Sequence, residues 1–293
     1  MDGGSLLIGA IRLLAQFALV VLIFVPLERL FAARKQKILR RQFATDLGYY
    51  VIGSIVPKLL LVVPLSLAAW AAHHFLPSHY YAAVNAMPVA ARAVLALVVG
   101  DIGYYWAHRL SHEVAFLWRF HAIHHSAEAM DWLVNTRGHP IDVFWGRLWM
   151  FAPLYLLGLA QPMGNRADVV PLLVILIGSL WGFFIHANVR WRFGFLENVI
   201  ATPGFHHWHH TNDAPALMDR NYSTMLPWVD RLFGTYHNPR DRLPGVYGIS
   251  GTMPADLAGQ LLYPFVHGDG NPAEEEDSSF SEEKEARIQL RNA

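Results

Sequence analysis

"LLIGAIRLLAQFALVVLIFVPLERLF", Leu6 to Phe31, is apolar almost throughout, and "AARKQKILRR", Ala32 to Arg41, follows it at once. A helix crossing the hydrocarbon core of a bilayer needs about 20 mostly apolar residues. The first stretch meets that length. The second places Arg34, Lys35, Lys37, Arg40 and Arg41 directly behind it. Basic residues beside a membrane helix favour the cytoplasmic side, so this loop is expected there. The apolar run has no basic start, and Pro26-Leu27-Glu28-Arg29 stands where a signal peptide would have small residues for cleavage. It therefore reads as a retained anchor.

Four more apolar segments follow, at Tyr49–Leu76, Pro88–Ala107, Ile141–Ala160 and Val169–Ile185. The first two of these are long enough to span, with Pro57 and Pro64 as kink points. The last two are separated only by "QPMGNRAD", Gln161–Asp168, a turn-forming sequence, and read as a helical hairpin. Trp145, Arg147 and Trp149 make its first arm amphipathic and suit it to the membrane interface. Composition agrees. The 293 residues are 54% hydrophobic and 16% charged, against about a quarter charged in soluble domains.

The expected fold is thus all-α: an integral membrane protein of about four transmembrane helices with a cytoplasmic, histidine-rich helical cap. Residues 1–99 would form N-terminal membrane helices. Residues 100–240 would form the catalytic region, including the hairpin at about 141–185. Residues 241–293 would form an extension ending in a disordered or loosely helical tail, "AEEEDSSFSEEKEARIQLRNA", from Ala273. Counting crossings puts the residues after Ala107 and after His186 on the cytoplasmic side, in a bacterial inner membrane. Net charge is zero, and no basic face interleaved with aromatics suggests nucleic acid. With no cysteine, disulfides, thiolate zinc sites and cysteine-ligated iron–sulfur clusters are excluded.

The chemistry lies in the histidines, of which there are 16. "HRLSH" holds His108 and His112, "HAIHH" holds His121, His124 and His125, and "HHWHH" repeats that spacing with His206, His209 and His210. Residues i, i+3 and i+4 share one helical face, so each triplet presents three imidazoles to one side. His139 in "TRGHP" and His186 in "FIHAN" bring the candidates to ten. Neutral imidazole suits iron, zinc and copper, and ten ligands are too many for one ion and suit two. All ten are expected just beyond the cytoplasmic ends of membrane helices. His73, His74, His79, His237 and His267 have no partner at ligand spacing and read as interface or loop residues.

Other chemistries fail on spelling. "HEVAF" at His112–Phe116 lacks the second histidine of HExxH. No GxSxG element and no phosphate-cradling glycine loop is present. Glu113, Glu128 and Glu197 do not supply the Glu and Glu-x-x-His pattern of soluble di-iron bundles.

The ordered set "GDIGYYWAHRLSH", "LWRFHAIHHSAEAMDW", "NTRGHP", "FIHANV", "TPGFHHWHHT" and "NYSTMLPWVDRLFGTYH", from about Gly100 to Tyr236, resembles the membrane-bound fatty acid hydroxylase and sterol desaturase superfamily. The resemblance implies a di-iron oxygenase that uses O2, with ligands His108, His112, His121, His124, His125, His139, His186, His206, His209 and His210. Zinc is a possible substitute in purified protein. His207 stands where relatives often carry a basic residue and is left outside the ligand set. "NYS" at Asn221–Ser223 departs from the more usual NYG, which puts the local backbone in question. Asp101, two helical turns before His108, and Asp230 and Arg137 are candidates to hydrogen-bond ligating imidazoles. Asn188, two residues after His186, is a candidate to bond a ligand or bound water, or else to cap a helix.

The expected activity is hydroxylation or desaturation of a C–H bond in a membrane lipid. The substrate would be a sterol, a fatty acyl chain or a related lipid. Two electrons would come from an external donor: a ferredoxin, a cytochrome b5-like protein or a reductase. "HPID" lacks the HPGG of a fused cytochrome b5-like domain. The competing readings are a zinc-dependent lipid hydrolase, a metal-binding or transport protein, and a bis-histidine haem protein. A transporter would place its ligands within the spans, and histidine triplets exceed what haem needs.

Overall fold

The computed structural model describes residues 3–160 and 168–266. The proposed turn at Gln161–Asp168 falls outside these residues except for Asp168, as do His267 and the tail from Ala273. Ten α-helices are described: α1 (Gly3–Phe31), α2 (Phe43–Phe75), α3 (Ser78–Ala86), α4 (Val89–Glu113), α5 (Ala115–His125), α6 (Pro140–Leu156), α7 (Val169–His186), α8 (Pro203–His209), α9 (Pro227–Leu232) and α10 (Leu257–Val266). Three 3₁₀ turns, Trp132–Thr136, Gly194–Asn198 and Pro215–Leu217, sit between them. No β-strand is formed among the described residues; the two antiparallel bridges are isolated.

Four helices are long and apolar enough to cross a membrane: Leu7–Phe31, Phe43–Phe75, Val89–Glu113 and Val169–His186. Their outward side chains remain exposed, among them Leu22, Leu59, Val63, Val94 and Leu172. Contiguous apolar surface on this scale belongs against lipid rather than water. The chain is a multi-pass membrane protein. Helix α4 has the lowest mean hydropathy of the four, 1.3. It runs past the expected end at Ala107 to Glu113, because His108, Ser111 and His112 of its last turns face inward, while Arg109 and Glu113 pair with each other on the outer side at 2.7 Å. Helix α2 begins earlier than expected, at Phe43.

Helix α6 packs along α2 and α4. The approach to α4 is close: a Cβ on Gly103 would collide with the carbonyl oxygen of Trp149. Small residues at such crossings let helix backbones meet in a membrane. Pro140 sits in the first turn of α6, where its missing N–H costs nothing, and the His139 ring accepts a hydrogen bond from Ile141 N–H at 3.2 Å. Asp168 caps α7 in the same way. It also pairs with Arg92 in the first turn of α4 at 2.6 Å, fixing the near ends of α4 and α7 at one level. At the far ends of the helices lie α5, α8 and the ordered loops. Arg40, Asp46, Asp131 and Arg137 form a buried ionic network there, with contacts of 2.6 Å. That network joins the α1–α2 loop to the segment after α5.

Candidate metal centre

The last two turns of α4 carry His108 and His112 on one face. Helix α5 returns beneath them with His121, His124 and His125, and α7 ends on His186. The short α8 is capped by Thr202, whose hydroxyl accepts from Phe205 N–H, and starts on Pro203. It delivers His206, His209 and His210. Nine imidazoles meet in two adjoining groups. His108, His112, His121, His125 and His209 form one, and His124, His186, His206 and His210 the other. Within each group the ligand-capable atoms lie within 4.8 Å of one another.

The hydrogen bonds around the rings define which nitrogen faces inward. Nδ1 of His108, His124, His186 and His209 lies 2.7–2.8 Å from the carbonyl oxygens of Tyr222, Arg137, Gly182 and Arg220. A carbonyl only accepts, so each of these Nδ1 atoms carries the proton and each Nε2 presents a lone pair. The inward nitrogens crowd together. His108 Nε2 is 3.0 Å from His121 Nε2, and His125 Nε2 is 3.0 Å from His209 Nε2. His186 Nε2 is 3.3 Å from His124 Nε2 and 3.0 Å from His206 Nε2. Facing lone pairs repel unless a cation lies between them. Two nitrogens at metal–imidazole bond lengths of about 2.0–2.1 Å and ordinary ligand angles stand about 2.9–3.4 Å apart. The spacing here matches, so each group fits a transition-metal ion. Burial favours the same state. It pushes His124 down to about 4 and holds His125, His206, His209 and His210 well below the usual imidazole range. The rings are kept neutral, as ligands must be.

The fatty acid hydroxylase family profile matches residues 93–235, the segment that carries all nine imidazoles. An ornithine lipid hydroxylase of Rhizobium tropici is 38% identical over 66% of this chain and 54% of its own length. An alkylglycerol monooxygenase of Danio rerio is 33% identical over 59% of this chain and 36% of its own. A Delta(7)-sterol 5(6)-desaturase of Gibberella zeae is 25% identical over 65% of this chain and 53% of its own. Residues 93–235, just under half of the chain, belong to the fatty acid hydroxylase family. The chain spans about half the length, or less, of these curated relatives. No solved structure matches it significantly.

Within this hydroxylase-family region, nine of the ten sequence-assigned ligands come together. His139 does not. Its Nδ1 caps α6, and its ring packs between Phe120 and Phe265, with centroids 5.0 and 5.9 Å away. The triplets also divide in a way their spelling does not state. The i and i+4 members, His121 with His125 and His206 with His210, each stay in one group. The i+3 members, His124 and His209, cross to the other. His207 joins neither group; its Nδ1 lies 2.9 Å from the Tyr247 hydroxyl.

Asp101, Asp230 and Asn188 serve the backbone rather than an imidazole. Asp101 accepts from Thr224, Met225 and Leu226 N–H and from the Thr224 hydroxyl. Asp230 accepts from Tyr222 and Ser223 N–H and from the Ser223 and Thr235 hydroxyls. It thereby fixes the peptide whose carbonyl orients His108. The NYS segment is fully buried here, and Ser223 supplies a hydroxyl that glycine would lack. The Asn188 side chain pairs with both backbone groups of Arg34. Arg137 contributes its carbonyl to His124, while its guanidinium joins Asp46.

The sequence reading missed the carboxylates that do reach ligands. Asp142 Oδ2 accepts from His121 Nδ1 at 3.0 Å, and Asp219 Oδ1 accepts from His112 Nδ1 at 2.9 Å. Asp219 sits in the left-handed region at φ 57°, which Asp tolerates better than most residues. Both carboxylates back the five-imidazole group. The four-imidazole group has only carbonyl partners, and Nδ1 of His206 and His210 has no protein partner among the described residues. The two sites are electrostatically unequal.

Proposed function

We propose that this chain is a membrane oxidoreductase that uses O2 and external electrons to hydroxylate or desaturate a C–H bond of a lipid, with one iron ion at each histidine group. The observation that carries the reading is the pair of adjoining lone-pair clusters at the ends of apolar, membrane-length helices. Iron bound there would supply the oxidising chemistry that side chains lack. The protein's own part is positioning. Six Nδ1–H donors lock their rings with Nε2 inward. Asp142 and Asp219 hold the His121 and His112 rings in orientation and offset the charge that neutral ligands leave uncompensated. Burial keeps the rings deprotonated and limits water.

The relatives named for ornithine lipid and alkylglycerol chemistry support a substrate with a polar head and an alkyl chain. This chain has no cysteine for an iron–sulfur cluster, so the electrons come from a separate donor of the ferredoxin, cytochrome b5-like or reductase type. The loop after α1 lies beside the histidine end and favours a cytoplasmic site, in a bacterial inner membrane. Arg40 is consumed in the ionic network and Arg34 by the Pro244 and Gly245 carbonyls and the Tyr247 ring, which leaves Lys35, Lys37 and Arg41 as that loop's outward charges.

The test is turnover of a total lipid extract by the iron-loaded protein with a reductant, under ¹⁸O2 and under argon. The expected result is a lipid product heavier by one ¹⁸O atom, or lighter by two hydrogens, formed only with oxygen. Lipid cleavage that proceeds equally under argon overturns the reading in favour of a hydrolase.

A further inference from the structure

The sequence places everything after His186 outside the membrane, yet residues 222–236 are tied to the middle of a membrane helix. The Arg92–Asp168 pair marks one polar level near the starts of α4 and α7. At 1.5 Å rise per residue, His186 stands about 27 Å from that level along α7. This is close to the hydrocarbon thickness of about 30 Å. Along α4, Asp101 is only about 14 Å from the same level and Trp106 about 21 Å. Any helix tilt makes both values smaller. Asp101 holds the 224–226 backbone, and Ile102 and Trp106 pack with Leu226 and Phe233 around Tyr105, Tyr222 and Val229. This segment therefore sits at the depth of the lipid chains.

The backbone hydrogen bonding of the segment agrees. Non-helical backbone survives at that depth only when its polar groups are satisfied within the protein. Every backbone N–H from Tyr222 to Leu226 is taken by a buried carboxylate: the first two by Asp230 and the next three by Asp101. Position 227 is proline, which has no N–H to satisfy. Outward from this segment the surface is mainly apolar, with Arg220 bonding the Gly234 carbonyl and Arg240 the Asn198 side chain beside it. Leu232 is 69% exposed and Phe195, in the adjoining 3₁₀ turn, 75%; Leu196, Val199 and Trp228 are also exposed. The one cation on the outer face of α9, Arg231, lies over the Tyr236 ring at 4.1 Å and bonds Asn198. Its long stem allows the charge to reach the interface.

We propose that residues 222–236 form a re-entrant element lodged in the bilayer from the metal side. Leu232, Trp228 and the 195–199 turn touch acyl chains. The proposal is independent of the oxygenase reading.

The absence of native cysteine makes the test direct. Single Leu232→Cys, Phe195→Cys and Val199→Cys variants of the full chain carry a nitroxide label in vesicles of phosphatidylcholine and phosphatidylglycerol. Leu22→Cys, on the outer face of α1, is the lipid-facing reference. Glu128→Cys, whose side chain is 74% exposed, is the aqueous one. Power-saturation EPR compares collisions with oxygen and with a water-soluble nickel chelate. The expected result is oxygen contact like that at position 22, with nickel collisions several-fold below those at position 128. Nickel contact equal to position 128 overturns the proposal. So does exclusion of both reagents, which would mean that a second copy or another protein covers the surface. Three positions keep the test intact if one variant fails to fold.

Discussion

Asp142 offers the sharpest test of how the centre is built. Its Oδ2 takes the His121 Nδ1 proton at 3.0 Å, and its other oxygen has only a marginal 3.5 Å contact with Ser111. Asn at this position can still present an amide oxygen to Nδ1, so Asp142→Asn keeps the ring's orientation and loses the charge. Asp142→Ala loses both and strands a buried N–H, at about 1–3 kcal/mol. Loss of such an outer partner typically weakens metal binding 10–100-fold, which is about 1.4–2.8 kcal/mol. We expect Asn near the lower figure and Ala near the upper. Only the five-imidazole site should respond, because His121 belongs to that group alone. The assay is the iron-to-chain ratio by mass spectrometry after equilibration with graded chelator. One equivalent should leave at a lower chelator concentration in the variant, while the second follows the wild-type curve. Unchanged curves for Asp142→Ala, with helical circular dichroism intact, would refute the assignment.

Four further outcomes follow from the same geometry. His124→Ala and His209→Ala should each lose one metal equivalent, from different groups, and abolish oxygen-dependent turnover while the protein still partitions into membranes. His139→Ala should retain both ions but melt earlier, since a lost N-cap costs about 0.5–2 kcal/mol; metal content and thermal unfolding in detergent separate the two effects. Asp219→Asn should shift the chelator curve less than Asp142→Asn, because the Asp219 side chain is 64% exposed and water can take its place. Asp101→Ala should lower the melting temperature far more than Asp101→Asn. It strands three backbone N–H groups and a hydroxyl, each at about 1 kcal/mol or more.

Much of this was legible in the sequence. Apolar length gave the spans, and the i, i+3, i+4 spacings gave eight of the nine converging histidines. His186 came from the family resemblance and from its place at the end of an apolar run. What misled was local spelling that serves two ends. His139 before Pro140 reads equally as a ligand or a helix cap, and only tertiary packing decides. Asp101 does sit two turns before His108, but its carboxylate bonds a loop more than a hundred residues away. Asp142 and Asp219 had no local signal, because their partners, His121 and His112, lie 21 and 107 residues distant. Hydropathy ended α4 at Ala107 by treating histidines as solvent-seeking, whereas nine of them converge in two inward-facing groups. Helix α10 lies in the stretch expected to be an extension; its Phe265 packs on Phe120 and His139.

Because α5 and α8 each contribute to both groups, the distance between the centres is set by the pitch of an α-helix rather than by how helices happen to dock. One extra residue between His121 and His124 would turn the later rings by about 100° and dismantle both sites together. Substitutions on α1, α2 or the outer loops leave that gauge untouched. The lipid-facing shell is therefore free to be reshaped for different molecules around an inner spacing that a single helical turn enforces.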